Sequence, residues 1–464
     1  MRRLLPLLLL FFSVLTVAQD NTITVMGDLM TGSSGDETIR EVTGNVVITQ
    51  GNITITCDTA LHYISRNDAR LIGNVVLTQN ELTIHTPEGY YFGDERKAIS
   101  DKGLILSDGI VVLSARNGEY SFPEKRADFK KNVKLVDTAS TLLCENLTYF
   151  REEEKAIALN NVCIYDTVSS LQADSLVHWR RTKVSFAFRN VVLTNFADNT
   201  LLFGNRLEDD GMRKYTIIDD KPLMMQIDTS DAGMPDTLFI QAEIMEAMRD
   251  STGIFIATDS VKILRGTFAS KNGKTIYYRS LKRMETFRPV DTAPVPVIWS
   301  DNSQLSGDSI RIYLKGRSME RMEIRRNSLI LTKHARFENR YDQIAAATVD
   351  LLFDTAGVRR ANLAGNVLSI YYMFEDSAAS GLVKSSSRTA VMHFLEDKID
   401  RIHLYGDPNS EYHPEKEIAG KERTFLLPEF VDYSPRPVYT DFLNRMNFRI
   451  PCFTPGNTIR IPYE

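Results

Sequence analysis

The chain has 464 residues, 43% of them hydrophobic and 25% charged. That is the composition of an ordinary folded protein, long enough for two or three domains or for one long repeat array. The formal charge is −5, and the lack of a basic excess argues against nucleic acid as a partner.

At the N-terminus, Arg2 and Arg3 precede an apolar run from Leu4 to Val17, closed by Ala18 with Thr16 two positions before it. A charged start, a short apolar core and a small-residue end read as a secretory signal over residues 1–18. The run falls short of the roughly 20 residues of a comfortable membrane span. No Cys follows it to carry a lipid anchor, and no other segment is apolar enough to span a membrane.

A repeat begins next. Stepping forward by 29 residues from Asn45 reaches Asn74, Gly103, Asn132, Asn161 and Asn190. Asn and Gly tolerate left-handed backbone better than other residues, so this column reads as a corner. One residue after it stand Val46, Val75, Leu104, Val133, Val162 and Val191, and three after it Ile48, Leu77, Leu106, Leu135, Ile164 and Leu193. Two apolar columns two residues apart mark one face of a strand. The column between them, Val47, Val76, Ile105, Lys134, Cys163 and Val192, is expected to face outward.

A second strand follows in each unit. Ile55, Ile84, Leu113, Leu142 and Leu171 share a column, followed two residues later by Cys57, Thr86, Ala115, Cys144 and Ala173. An aromatic-rich column comes next, His62, Tyr91, Tyr120, Tyr149 and His178, and a small one closes the unit at Ala69, Ala98, Ala127, Ala156 and Ser185. Short segments rich in Val, Ile, Thr and Tyr, alternating with period 2 and punctuated by Gly, Asn and Asp, are strands. A unit this small cannot bury its face alone, so the units must stack into a solenoid.

From Leu207 to Pro235 the period is lost in polar, turn-rich sequence, either a connector or an irregular part of the same solenoid. Strand patterns resume after it, interrupted by the Pro-rich "RPVDTAPVPVIW". Asn327 and Asn366 then take the corner role, 39 residues apart, and "HLYGDP" at His403–Pro408 reads as a final corner. The tail from Asn409 onward is rich in Pro and charge, with "PVYTDFLNRM" a candidate short helix. The domain plan is therefore a signal over 1–18, a module over 19–205, a connector over 206–235, a second module over 236–408, and a tail over 409–464 that caps the stack or binds a partner.

The stretches "CDTALHY…LIGNVVLTQ", "CENLTYF…ALNNVCI" and "GDSIRIYL…RRNSLILTK" resemble the repeat unit of the OstA-like family, the periplasmic domains of lipopolysaccharide-transport (Lpt) systems. The two-module layout with a Pro-rich tail is similar to the members from Bacteroidetes-type bacteria. The resemblance implies an all-β fold, a stacked-strand jellyroll in two modules with an irregular C-terminal tail. It implies a periplasmic, non-enzymatic protein whose apolar interior takes the acyl chains of lipopolysaccharide or another acylated envelope lipid. It also implies partnership with other Lpt-type proteins through end-strand pairing, and head-to-tail self-association. The outer-membrane member of such systems carries a large barrel, of which this sequence shows no sign. On this implication the lipid contacts are the interior columns: Val46, Ile48, Ile55, Val75, Leu77, Ile84, Leu104, Leu106, Leu113, Val133, Leu135, Leu142, Val162, Ile164 and Leu171.

Catalytic and metal motifs are missing from the sequence: there is no G-x-S-x-G, H-E-x-x-H, C-x-x-C or phosphate loop. No cofactor is expected. Cys57 and Cys144 share a column three units apart, at least ~14 Å at the strand spacing, too far to bridge each other. Lys102, Lys131 and Arg189 precede the corner and form either a solvated edge or a stripe that meets lipid phosphates. The small columns either leave room for a ligand or make tight corners. Two other functions compete: an envelope scaffold with a dry core, and a carbohydrate-active β-helix enzyme. The enzyme would need charged residues clustered on one face, where these columns are apolar or aromatic.

Overall fold

The computed structural model describes residues 22–34, 38–229, 235–316, 318–337, 339–354, 357–375, 378–395 and 398–446. The predicted export signal lies outside them. Contacts divide the chain into two units, Met1–Glu153 and Glu154–Glu464. Both are all-β and are built by one rule, in which each strand pairs antiparallel with its chain neighbours in two stretches separated by a bend.

The strand Thr38–Gln50 shows the rule. Ile39–Thr43 pairs with Thr59–Tyr63, and Val46–Gln50 pairs with Ile53–Cys57. The two residues skipped between them, Gly44 and Asn45, have φ of 79° and 45°. The same interruption recurs at residues 73–74, 131–132, 160–161, 189–190, 259–260, 326–327 and 365–366. Both residues of every such pair are left-handed. Two residues there face one on the partner strand, and the one extra residue bends the strand sharply, so each strand becomes two arms and the stacked arms become two sheets. The predicted corners at Asn45, Asn74, Gly103, Asn132, Asn161, Asn190, Asn327 and Asn366 all have positive φ, as do Gly406 and Asp407 of the final one.

Side chains fix the bend. Asn45 Nδ2 donates to Asp28 Oδ2 at 2.8 Å, and Asn74 Nδ2 to Asp58 Oδ2 at 2.8 Å. In the second unit Asn190 meets Asp174 at 2.9 Å and Asn327 meets Asp308 at 3.3 Å. The carboxylate reaches over the first corner residue, which explains the glycine there. A Cβ at Gly73 would lie 2.2 Å from Asp58 Oδ2.

The first unit stacks bent strands from Thr24 to Phe150. The second runs from Lys155 to Pro414, and residues 206–229 lie within its pairing, as the end of Thr200–Asp210, Tyr215–Asp219 and Leu223–Thr229. The Pro-rich stretch sits at a corner, between the arms Arg283–Phe287 and Val297–Ser300.

The tail does not cap the end strand of the second unit. It leaves the last strand, Asn409–Pro414, and packs lengthwise on the outer face of one sheet. Arg340, 4% exposed, holds Glu415 through its two terminal guanidinium nitrogens at 3.0 and 2.5 Å and reaches Glu422 at 3.3 Å. Two buried glutamines then bind tail backbone: Gln343 Oε1 accepts from Leu427 N–H at 2.8 Å, and Gln304 accepts from Tyr433 N–H at 2.9 Å while donating to Val431 O at 2.8 Å. Beyond the helix Thr440–Leu443, Arg445 donates to Ala242 O and Glu243. Phe442 is fully buried among Val192, Leu201, Phe203, Leu223, Met225 and Phe239.

Two outcomes are expected. Gly73→Ala, which combines a positive φ with the clash on Asp58, lowers the stability of the first unit by about 1–3 kcal/mol in urea unfolding, and Gly103→Ala, whose Cβ would meet open space, costs less. Arg340→Ala strands two carboxylates and costs roughly 3–5 kcal/mol of tail docking, read as faster limited proteolysis between residues 415 and 446.

Candidate functional site

The candidate site is the space between the two sheets of each unit, where strand alternation points every second side chain. In the first unit one sheet contributes Val46, Ile48, Ile55, Val75, Leu77, Ile84, Leu104, Leu106, Leu113, Val133, Leu135 and Leu142, all buried. Val162 and Leu171 in the second unit are also buried, whereas Ile164 is half-buried.

The facing sheet supplies the aromatic and small columns, and the structure decides what the small residues do. Tyr91 pairs across the strands with Ala69 and Ala98, Tyr120 with Ala98 and Ala127, and Tyr149 with Ala127. Aromatic and small side chains therefore alternate across the sheet. Tyr91, Tyr120 and Tyr149 are at most 3% exposed, so their rings fill the room above the alanines. Phe122 adds edge-on contacts to Tyr91 and Tyr120, at ring separations of 6.2 and 5.0 Å.

The far ends of the arms are joined by polar groups. Tyr91 donates to Gln50 Oε1 at 2.5 Å, and Gln50 Nε2 donates to Gly93 O at 2.9 Å. Gln79 and Arg96 both donate to Asn52 Oδ1, at 3.0 and 3.1 Å. Tyr149 donates to Asp108 Oδ2 at 3.2 Å, and Asp108 Oδ1 accepts from the N–H groups of Ile110 and Val111. This seal was missed from the sequence, yet its signal is there. Gln50, Gln79, Asp108, Asp137 and Asp166 follow one another at 29 residues, a polar column at the ends of apolar strands.

Electrostatics follow burial. Burial pushes the Tyr91 and Tyr120 hydroxyls up to about 12, opposed by the nearby Arg96 and Arg151. The Cys57 thiol is pushed up to about 11, chiefly by burial. Cys57 and Cys144 remain as buried thiols, not joined to each other.

In the second unit the apolar interior holds Ile298, Leu305, Met322, Ile324, Val349, Leu351, Leu363 and Met392 from both sheets. Its rim differs from that of the first unit. Leu314, Met319, Phe353, Val358, Phe394 and Leu404 pack there half-buried, and Met373 and Ile402 are 38% and 39% exposed.

The outward column needs a correction. Ile105 and Lys134 are exposed, and Val47 and Val76 half-exposed, as expected, but Cys163 and Val192 are buried. Val192 lies under Phe442 of the tail, which turns the outer face of that sheet into a second core. Cys163 is disulfide-bonded, and Cys452 lies outside the described residues. The tail's coverage could not be read from the repeat, because alternation shows which face is apolar and not what lies on it.

Lys131 and Arg189 are the first of their left-handed pairs. Among the described residues no group of three or more His, Cys, Asp or Glu is placed to hold a metal ion.

Three comparisons bear on this arrangement. Residues 19–157 match the family model of the OstA-like proteins. Among solved structures the chain is similar to LptH of Pseudomonas aeruginosa, described as the LptA-homologous periplasmic component of the conserved lipopolysaccharide transport device. Identity there is 19%, the match covers 28% of this chain and 91% of that one, and the TM-score is 0.24. No curated protein matches.

The buried tyrosines give a pH expectation. Their folded-state pKa lies above the ordinary 10, so above pH 10 the unfolded chain sheds protons that the folded one keeps. Stability of the first unit therefore falls between pH 10 and 12, by on the order of 2–3 kcal/mol for each of Tyr91 and Tyr120, and the fall is halved in Tyr120→Phe when denaturation is followed across that range.

Over residues 19–157, which hold the bent strands of the first unit, the chain matches the family model of the OstA-like proteins.

Proposed function

We propose that this protein is a non-enzymatic periplasmic component of lipopolysaccharide transport that carries acyl chains between its sheets. The observation that supports this reading most directly is the apolar strip on the inner faces, which continues strand after strand within each unit. A chain lying along the stack meets the same surface at every step, as a conduit requires.

Energetics allow entry. The seal of the first unit is a handful of hydrogen bonds, each worth about 1 kcal/mol net. Each methylene moved out of water contributes about 0.8 kcal/mol, so an acyl chain of about ten methylenes outweighs the seal. The arms separate at their far ends while the corners stay closed. In the second unit the half-buried apolar rim is the easier place to enter. The competing reading, a scaffold with a dry interior, draws on the packed tyrosine layer.

Free strand edges fit partners from the same transport system, including a second copy. Thr24–Met26 and Leu29–Ser34 pair only with Thr38–Gln50 among the described residues, and Met26, Leu29 and Met30 beside them are exposed. Among the described residues Lys398–Tyr405 and Asn409–Pro414 pair only with Ala378–Leu395, and Tyr405 and Tyr412 are exposed. Such edges accept an added strand.

Photoreactive residues test the interior. At Leu106 and at Met392 they are expected to crosslink labelled lipopolysaccharide in cells, and at outward Tyr90 they are not. A folded protein that gives no adduct at either interior position supports the scaffold.

A further inference from the structure

The corner ladder of the first unit changes sign part-way along. Asp28 and Asp58 staple the corners at Asn45 and Asn74. At the next two repeats of Asp58, 29 and 58 residues on, stand Pro87 and Arg116. The third corner therefore has no carboxylate to accept, and it carries Gly103 in place of Asn. Pairing loosens there: one strand splits into Lys97–Ser100 and Leu104–Ser107, and the next into Val112–Ala115 and Asn117–Ser121.

Backbone bonds align what remains. Gly103 N–H donates to Arg116 O at 2.8 Å, and Arg116 N–H donates to Lys131 O at 3.0 Å. Three adjacent strands thus bring Lys102, Arg116 and Lys131 into one row. A hollow of about 690 Å³ opens here, lined by Lys102, Gly103 and Arg116 together with Asn74, His85 and Asn132. Lys102 lies 3.8 Å from Asp101, but both are more than half exposed, so that pair is weak. Arg116 and Lys131 form no ion pair among the described residues. In a chain of net charge −5 this is a local reversal, placed where the repeat elsewhere has an acid.

We propose that this hollow binds phosphoryl groups. A guanidinium offers a planar fork of donors suited to phosphate oxygens, and the ammonium groups add point charge. A row of cations favours a multiply charged anion over a single carboxylate. The volume falls in the range of small-ligand sites, and exposed Ile105 on its edge adds an apolar contact. The phosphoryl group belongs either to a lipid headgroup or to a soluble ester. The hollow opens at the corner and also meets inner-face Val75 and Leu104, but its basic row is exposed and does not depend on acyl chains being carried between the sheets.

The full chain is titrated calorimetrically with inorganic pyrophosphate and co-sedimented with phosphatidylcholine vesicles with or without phosphatidic acid. At least one probe is expected to bind. Arg116→Asp, which restores the acid of the repeat, and Lys102→Gln should each weaken binding by about tenfold or more, with circular dichroism unchanged because both side chains are exposed. Arg66→Gln, in an exposed turn at the other end of an arm, should bind as the parent does. Pyrophosphate binding alone identifies a soluble ligand, and vesicle binding alone a headgroup; either supports the site. Folded parent protein that binds neither probe, or Arg116→Asp that binds as the parent does, overturns it.

Discussion

Two consecutive left-handed residues bend every second strand of this protein into arms, and at Asn45, Asn74, Asn190 and Asn327 a carboxylate from the neighbouring strand holds the bend. A left-handed residue costs roughly 1–2 kcal/mol unless it is Gly, with Asn among the better-tolerated alternatives, and the repeat places those residues at most corners. Because the bend recurs at the same point of each strand, the arms stack into two sheets with their apolar sides facing. The inter-sheet space, its apolar strip and its rims all follow from that corner. At Gly103, where the corner has neither the acid nor the Asn, two neighbouring strands are split and a hollow forms.

The two units finish the same plan differently. In the first, tyrosines from one sheet and glutamine or aspartate from the other meet at the arm ends, so the interior is sealed by polar groups. In the second, the rim is apolar and half-buried, and the tail covers the outside of one sheet. That sheet has buried side chains on both faces. Arg340 holds the tail through the carboxylates of Glu415 and Glu422, Gln343 and Gln304 hold its backbone, and the tail's own Ile418, Leu427 and Phe442 are buried against the sheet.

Much of this was legible in the sequence because a fixed period makes each column an independent witness. Asn45, Asn74 and Asn132 gave the corner, and the valine and leucine columns gave the inner face. What was hidden depends on contacts between distant segments. Cys163 and Val192 look outward by alternation yet are buried, Val192 beneath Phe442 of the tail. Ala98 and Ala127 look like vacant space until the tyrosines of neighbouring strands are seen to fill it. The seal at Gln50 and Asp108 sat in a readable column, but its meaning needed the partner across the space.

The account rests on corners that stay closed while arm ends part. The direct measurement is a pair of spin-label distances in the first unit, one between Asn52 and Arg96 at the arm ends and one between Asn45 and Asp28 at a corner, with and without lipopolysaccharide. The account predicts that lipid lengthens the arm-end distance and leaves the corner distance unchanged. Bound lipid with an unchanged arm-end distance, or a corner that opens, would contradict it.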